Sequence, residues 1–462
     1  MGPAPSRRSL AGVWLLALGV APVRASAHAI TGSRFDAPIP LPFLLLGAGA
    51  TVALTAAWLG WTDRVTPPTT DRTLLTVPAA VVGTLRTALS LGFLLCVVAA
   101  LLLGVVGSQA PAESFAVVFT WAVWFRGLAI VAILVGNPWA LLSPWRTVYE
   151  GLAWVEGDTV SLLSREPPFG AWPATVGFLC LFGAVENLTN VPLVPRLTSA
   201  VLAAYALAMT GGAVLFGPAW LRRADPLGAF YRLFGTVAPL RVRRADSGYA
   251  IEARFPWTGA LSPLNGPALV VLAVAMVYVV SFDGFANTGA FQTVLFRVRE
   301  ATGLGPTALL VVFGVGFVGF LATFWLGCRL SDRLGAVAGD AGEARRAFAP
   351  TLLPIAAAYE IAHNYPYVAR SLGQSLEIAL DPLLPGLGPI RPLGWLPLPA
   401  FWGSQVLLVV LGHVVAVVAA HFVAVRRYGT VTDARRAHAP LVVLMVGYTV
   451  LSLWIISQPV LA

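Results

Sequence analysis

Glu360, His363 and Asn364 stand in the middle of residues 350–374, PTLLPIAAAYEIAHNYPYVARSLGQ, a stretch otherwise long and apolar enough to span a membrane. An ionisable group in hydrocarbon costs about 2.5–3.5 kcal/mol on insertion scales, so such residues face a protein interior and work there. Glu360 and His363 are three positions apart and share a helix face. A carboxylate beside an imidazole can pass a proton, hold a cation or, with further ligands, hold a metal. Pro366, just beyond, removes a backbone donor and is expected to kink the helix.

Two more residues join them by depth. Counted from the outer ends of their spans at ~1.5 Å per residue, His363 lies about 13 Å deep, His413 about 16 Å, Glu360 about 18 Å and Arg126 about 16 Å. Arg126, Glu360, His363 and His413 thus come from three helices to one level near the bilayer midplane, with Asn364 beside them. A lone guanidinium there is costly, so Arg126 is expected to pair with Glu360 or to face a wet cavity. Three roles fit this set: a network that locks helices together, a substrate, proton or ion pathway, or ligation of haem or a transition metal by His363 and His413. If Glu360 faces His363, the two can share a proton at neutral pH, which is the expected arrangement; if Arg126 holds Glu360, His363 stays neutral and the network is inert.

Other polar residues weigh less. His421 is eight residues from His413 and turned by about 80°, so one ligand does not take both. Glu186 and Asp283 fall near the ends of their spans and read as headgroup-level acids. His28, once exposed as a mature N-terminus, offers an α-amine and an imidazole that can chelate copper. The predicted outer loops hold no other His and no Met or Cys, the soft ligands copper pathways favour.

The elements that must position these residues are helices in a membrane. Hydrophobic residues make up 58% of the 462, charged residues 11%, a balance that excludes a soluble domain. Residues 1–27 read as a secretory signal: Arg7 and Arg8, an apolar run, then Ala25-Ser26-Ala27. Residues 28–462 read as one polytopic domain, all-α, with ten spans near 41–61, 87–107, 115–136, 172–190, 198–216, 266–285, 307–328, 350–372, 402–424 and 439–459. The basic residues are all Arg, 20 of them in loops on one side and 5 on the other, which puts the mature N-terminus outside the plasma membrane. The net charge of +9 therefore reflects topology, and nucleic acid is not an expected partner; the lipid bilayer and a small molecule or ion are. Trp58, Trp61, Trp172 and Trp402 fall at span ends, where an aromatic belt belongs.

Loop 217–265 is the largest inner insertion. Asp225 is placed to cap an amphipathic helix with Leu227, Phe230, Tyr231 and Phe234 on its apolar side. Residues 240–243 and 249–253 alternate around a turn and predict a cytoplasmic β-hairpin. Residues 137–171 begin NPWALLSPW and predict an interfacial or re-entrant turn. Gly314, Gly316 and Gly319 have the spacing of a dinucleotide fingerprint but lie inside an apolar span, where close helix packing is the expected role. Cys96, Cys180 and Cys328 share no ligand spacing and read as packed residues.

Several stretches together resemble a family of bacterial multi-span membrane proteins identified as fenitrothion hydrolases. They are ASAHAITG with PIP at 38–40, NPWALLSPWR at 137–146, SFDGF at 281–285, YEIAH at 359–363, LGHVVAVVAAH at 411–421 and YTVLSLWIISQ at 448–458. They run over nearly the whole chain. The resemblance implies a membrane fold and organophosphate hydrolysis. Metal-dependent hydrolysis of phosphotriesters needs several His or carboxylate ligands around a bound hydroxide, and the sequence has no HxH motif and no GxSxG elbow. The residues themselves point first to a transporter or channel-like protein, with a membrane enzyme, a hydrolase or a haem- or metal-dependent redox protein, as the alternative.

Overall fold

The computed structural model describes residues 39–62, 66–68, 70, 72–163, 166–245, 248–336, 341–381, 383–384, 386 and 388–458. The signal segment, His28 and the cleavage site expected near it lie outside the described residues. The remaining chain is a membrane-embedded helical protein. Eight helices are long and apolar enough to cross a bilayer: α1 (Leu41–Trp61), α2 (Ala79–Val106), α3 (Phe115–Val135), α6 (Pro195–Phe216), α8 (Pro267–Ala286), α10 (Ala308–Leu334), α13 (Leu398–Tyr428) and α14 (Val431–Ser457). Two further helices fall on expected spans. α5 (Trp172–Glu186) is apolar but shorter. α12 (Leu353–Leu380) has 28 residues, and Glu360, His363, Asn364 and Arg370 lower its hydropathy below that of the eight.

Apolar side chains that find no protein partner mark the outer faces. Phe43, Leu46 and Leu54 on α1, Leu95 and Val106 on α2, and Val315 and Val318 on α10 are exposed, a surface suited to lipid tails. Trp58, Trp61 and Trp172 are exposed at helix ends, whereas Trp402 is buried against Phe401 and does not belong to an outer belt.

Between the long helices lie α4 (Pro144–Glu156), α7 (Pro226–Thr236), α9 (Gly289–Thr302) and α11 (Ala341–Phe348). Asp225 caps α7, its side chain accepting a hydrogen bond from the Gly228 amide at 3.1 Å. The sequence predicts an amphipathic helix here with Leu227, Phe230, Tyr231 and Phe234 on its apolar side. It is instead buried nearly all round, Leu227, Ala229, Phe230, Tyr231, Leu233 and Phe234 included, because it wedges between α3, α5 and α12. The NPW stretch supplies the bed beneath it. Trp139 stacks on Trp124 at 5.7 Å and donates from Nε1 to Asp225 Oδ2 at 2.7 Å, while the Tyr205 hydroxyl donates to Asp225 Oδ1. One carboxylate thus ties α6, α7 and the NPW turn together.

Strands β2 (Leu240–Ala245) and β3 (Gly248–Ala253) pair antiparallel, from Leu240 opposite Ala253 to Ala245 opposite Gly248. A third strand absent from the sequence reading, β1 (Arg72–Pro78), pairs with the other edge of β3, so the sheet order is β1-β3-β2. The segment alternates poorly and ends in proline, which hides an edge strand from a periodicity test.

Candidate functional site

α12 is the centre of the bundle, packed against α3, α8 and α13. The helix continues through Pro366 rather than breaking there. The irregular backbone lies in its neighbours: residues Val118–Gly127 of α3 and Leu179–Glu186 of α5 are wound as π-helix, a rare geometry that recurs at functional sites. Each wide turn carries one residue of the site near its end. Arg126 comes from the first and Glu186 from the second.

Arg126 is buried and holds two carboxylates at once. Its Nε donates to Glu186 Oε1 at 3.0 Å and its Nη2 to Glu186 Oε2 at 2.7 Å, a fork-on-fork pair. Its Nη1 lies 3.0 Å from Glu360 Oε2 and 3.2 Å from Glu360 Oε1. A third carboxylate, Asp283 of α8, approaches Nη2 at 3.8 Å. Asp283 Oδ2 is also 3.2 Å from His363 Nε2. The Phe182 ring covers the guanidinium carbon at 5.1 Å and the Tyr359 ring stacks on His363. Gly284 leaves the space Tyr359 needs, since a Cβ there would sit 2.8 Å from its hydroxyl.

Two side chains serve the carbonyls of the π turns. The Tyr231 hydroxyl lies 3.1 Å from the carbonyls of both Trp124 and Phe125, the residues just before Arg126. The Asn187 amide donates to the Phe182 carbonyl five residues back. A π turn changes which carbonyls are satisfied internally, and these side chains serve groups that a buried backbone cannot leave unpaired.

The structure therefore brings Arg126, Glu360 and His363 together, as their depth suggests, and adds Glu186 and Asp283. The latter two are buried, not headgroup-level acids. The expected Glu360–His363 partnership is also corrected: Arg126 holds Glu360, and Asp283 faces His363. Geometry explains this, because a helix face shared at three residues lets two side chains diverge toward different neighbours.

His413 is not part of the cluster. Its Nδ1 donates to its own helix at the Val409 carbonyl, 2.8 Å away, and its buried Nε2 has no hydrogen-bond partner among the described residues. His421 packs beside His438 with ring centroids 5.9 Å apart. Asn364 is fully buried and neither amide atom has a hydrogen-bond partner among the described residues. Among the described residues no group of three or more His, Cys, Asp or Glu is placed to hold a metal ion. Gly316, the middle glycine of the 313–319 motif, packs on Tyr278, whose hydroxyl donates to the Phe313 carbonyl at 2.6 Å.

No family model, no curated protein and no solved structure matches this chain.

Proposed function

We propose that this protein is a transporter or channel-like protein that carries protons, alone or with a small solute, through the centre formed by Arg126, Glu186, Asp283, Glu360 and His363. One observation carries the reading: a single guanidinium faces three buried carboxylates, and one of these, Asp283, also meets an imidazole. A structural ion pair needs one acid per Arg. Net negative charge gathered around one buried guanidinium is costly, so the centre is suited to take up a proton or a mobile cation. His363 and Asp283, 3.2 Å apart, are placed to exchange that proton between them.

In this reading the bundle has ten spans in the plasma membrane after removal of the signal, with the mature N-terminus outside and the sheet inside. The excess of Arg on one set of loops supports that orientation. A reporter fused after Arg244 is then cytoplasmic. The transport reading is tested in proteoliposomes by imposing a potassium diffusion potential and following internal pH with a trapped dye. Wild type should change the internal pH faster than empty vesicles, and Glu360→Gln and Asp283→Asn should not. Equal rates in all four preparations would remove the centre from any proton pathway.

The family resemblance supports a second reading, a membrane hydrolase, through one observation. SFDGF supplies Asp283 and YEIAH supplies Glu360 and His363, so two separate stretches that carry the resemblance meet at this centre. An Asp-oriented imidazole can act as a general base. Release of nitrophenolate from a nitrophenyl phosphotriester, lost in His363→Gln, is the outcome this reading requires.

A further inference from the structure

The polar residues of α12 do not stop at the buried centre. Glu360, Asn364, Tyr367, Ser371 and Gln374 follow one another at spacings of four, three, four and three, which places them in a single stripe along one helix face. The stripe ends in a cavity of about 280 Å³ that Tyr367, Arg370, Ser371 and Gln374 line, with Val117 and Val118 of α3 forming part of the opposite wall. A second cavity of about 410 Å³ shares Arg370 and Gln374 with it and adds Glu377 and Arg391, so the two form a charged vestibule open to solvent. Tyr367 lies within electrostatic reach of Glu186 and Arg126 on one side and of Arg370 on the other. Between the vestibule and the centre stands Asn364, fully buried, with both amide atoms lacking a hydrogen-bond partner among the described residues. Buried side-chain amides are almost always satisfied, and one that no protein atom satisfies marks a place for water or a ligand.

We infer that a single-file hydrated passage runs along this face of α12, from the vestibule at Arg370 past Tyr367 to Glu360 and Glu186, with the Asn364 amide holding the water that connects the two. The amide both donates and accepts, so it can hand a hydrogen-bonded chain from the hydroxyls of Tyr367 and Ser371 to the carboxylates without itself ionising. The vestibule carries both signs of charge, Arg370 and Arg391 against Glu377, and so admits water and protons without selecting a bulky ion of either sign. This passage rests on the transport reading for its purpose but not for its existence.

Silver ion is the probe, because it is close to water in size and attacks thiolates only where water reaches them. In a background with Cys96, Cys180 and Cys328 replaced by Ala, single cysteines are placed at Gln374, Ser371 and Asn364, with Leu372→Cys as the off-stripe control; Leu372 is exposed on the same helix, outside the stripe. Protection from later alkylation is read by mass spectrometry on the full-length protein in membranes. The expected order of reaction is Gln374 first, then Ser371, then Asn364, each at least tenfold faster than the control. Reaction at Asn364→Cys no faster than at Leu372→Cys overturns the passage. Should Asn364→Cys fail to insert, Ser371→Leu takes its place: a loss of proton flux of tenfold or more supports the passage, and unchanged flux overturns it. Fast labelling with no proton flux in any preparation leaves the passage standing and removes the transport reading, so the two fail separately.

Discussion

Arg126 and Glu360 are 234 positions apart in the chain and 3.0 Å apart in space. The contact joins α3 to α12, and through the same guanidinium Glu186 joins α5 and Asp283 joins α8. Four helices therefore meet at one cation, and its removal takes away the guanidinium that Glu186 and Glu360 share.

Breaking a buried pair by deleting one partner costs about 3–5 kcal/mol. Arg126→Ala should lower stability by that order, seen as a fall in Tm of the detergent-solubilised protein. Arg126→Lys should recover only part of the loss, because one ammonium cannot present the parallel donors that meet both Glu186 oxygens while also reaching Glu360. A lysine variant as stable as wild type would show that charge alone, not the fork, holds the four helices.

Tyr231 tests the link between the π turn and the site. Its hydroxyl serves the Trp124 and Phe125 carbonyls from inside the wedge of α7. Tyr231→Phe keeps the ring and removes the donor, leaving buried carbonyls short of a partner at a cost of about 1–3 kcal/mol. Proton flux should fall as well, since the turn that aims Arg126 relaxes. Lost stability with normal flux would confine Tyr231 to packing.

Asp225 receives hydrogen bonds from Trp139, Tyr205 and the Gly228 amide. Asp225→Ala unpairs three donors, two of them buried, and uncaps α7, so unfolding in denaturant should begin well below the wild-type midpoint. Asp225→Asn keeps the capping oxygen and should be the milder change. The ranking Ala worse than Asn is the checkable result.

What the sequence reveals of this site depends on what each residue shows locally. α12 advertised itself because Glu360, His363 and Asn364 interrupt an apolar run, and Arg126 did so for the same reason. Glu186 and Asp283 carried the same kind of signal, a lone acid in an apolar helix, but their nearness to a helix end offered a cheaper explanation. For Glu186 that explanation failed because depth counted along a chain ignores winding, and the π turn of α5 re-aims its side chain in a way that no spacing rule for an α-helix describes; Asp283, on the regular helix α8, is buried against His363 instead. His413 failed in the opposite direction. It shares the level of the centre but turns its ring back to Val409, and depth says nothing about azimuth. β1 was hidden because its partner β3 lies far along the chain, and pairing between distant strands leaves no local mark.

His413 accordingly belongs to the packing between α12 and α13. Gly412 beside it sits so close to α12 that an added Cβ would lie 2.8 Å from the Pro354 carbonyl. His413→Leu should leave proton flux at the wild-type rate, whereas Gly412→Leu should push the helices apart and reduce folded yield. A flux defect in His413→Leu that exceeds its stability defect would return His413 to the pathway.

The pH dependence of the centre separates a working site from an inert one. His363 is faced by Asp283 from α8, by Tyr359 and Glu360 from its own helix, and, through Asp283, by Arg126 from α3. An imidazole is the side chain whose charge ordinarily changes between pH 5 and 8. A proton taken up by the His363 imidazole makes an ion pair with the Asp283 carboxylate 3.2 Å away, and its release reverses the step. Lowering the pH thus loads the pair and raises the rate at which protons enter the centre, until loading is complete and the rate levels off. Proton flux in wild-type vesicles, measured with equal driving potential at a series of pH values from 5 to 8, should rise toward the acid side and flatten. His363→Gln keeps a polar side chain of similar reach but cannot titrate, so its flux should be low and nearly independent of pH. Asp283→Asn should behave alike, because a proton needs both ends of the 3.2 Å contact. A variant at His363 that keeps the wild-type profile shape would assign the titration to another group and leave His363 as a spacer between α12 and α8.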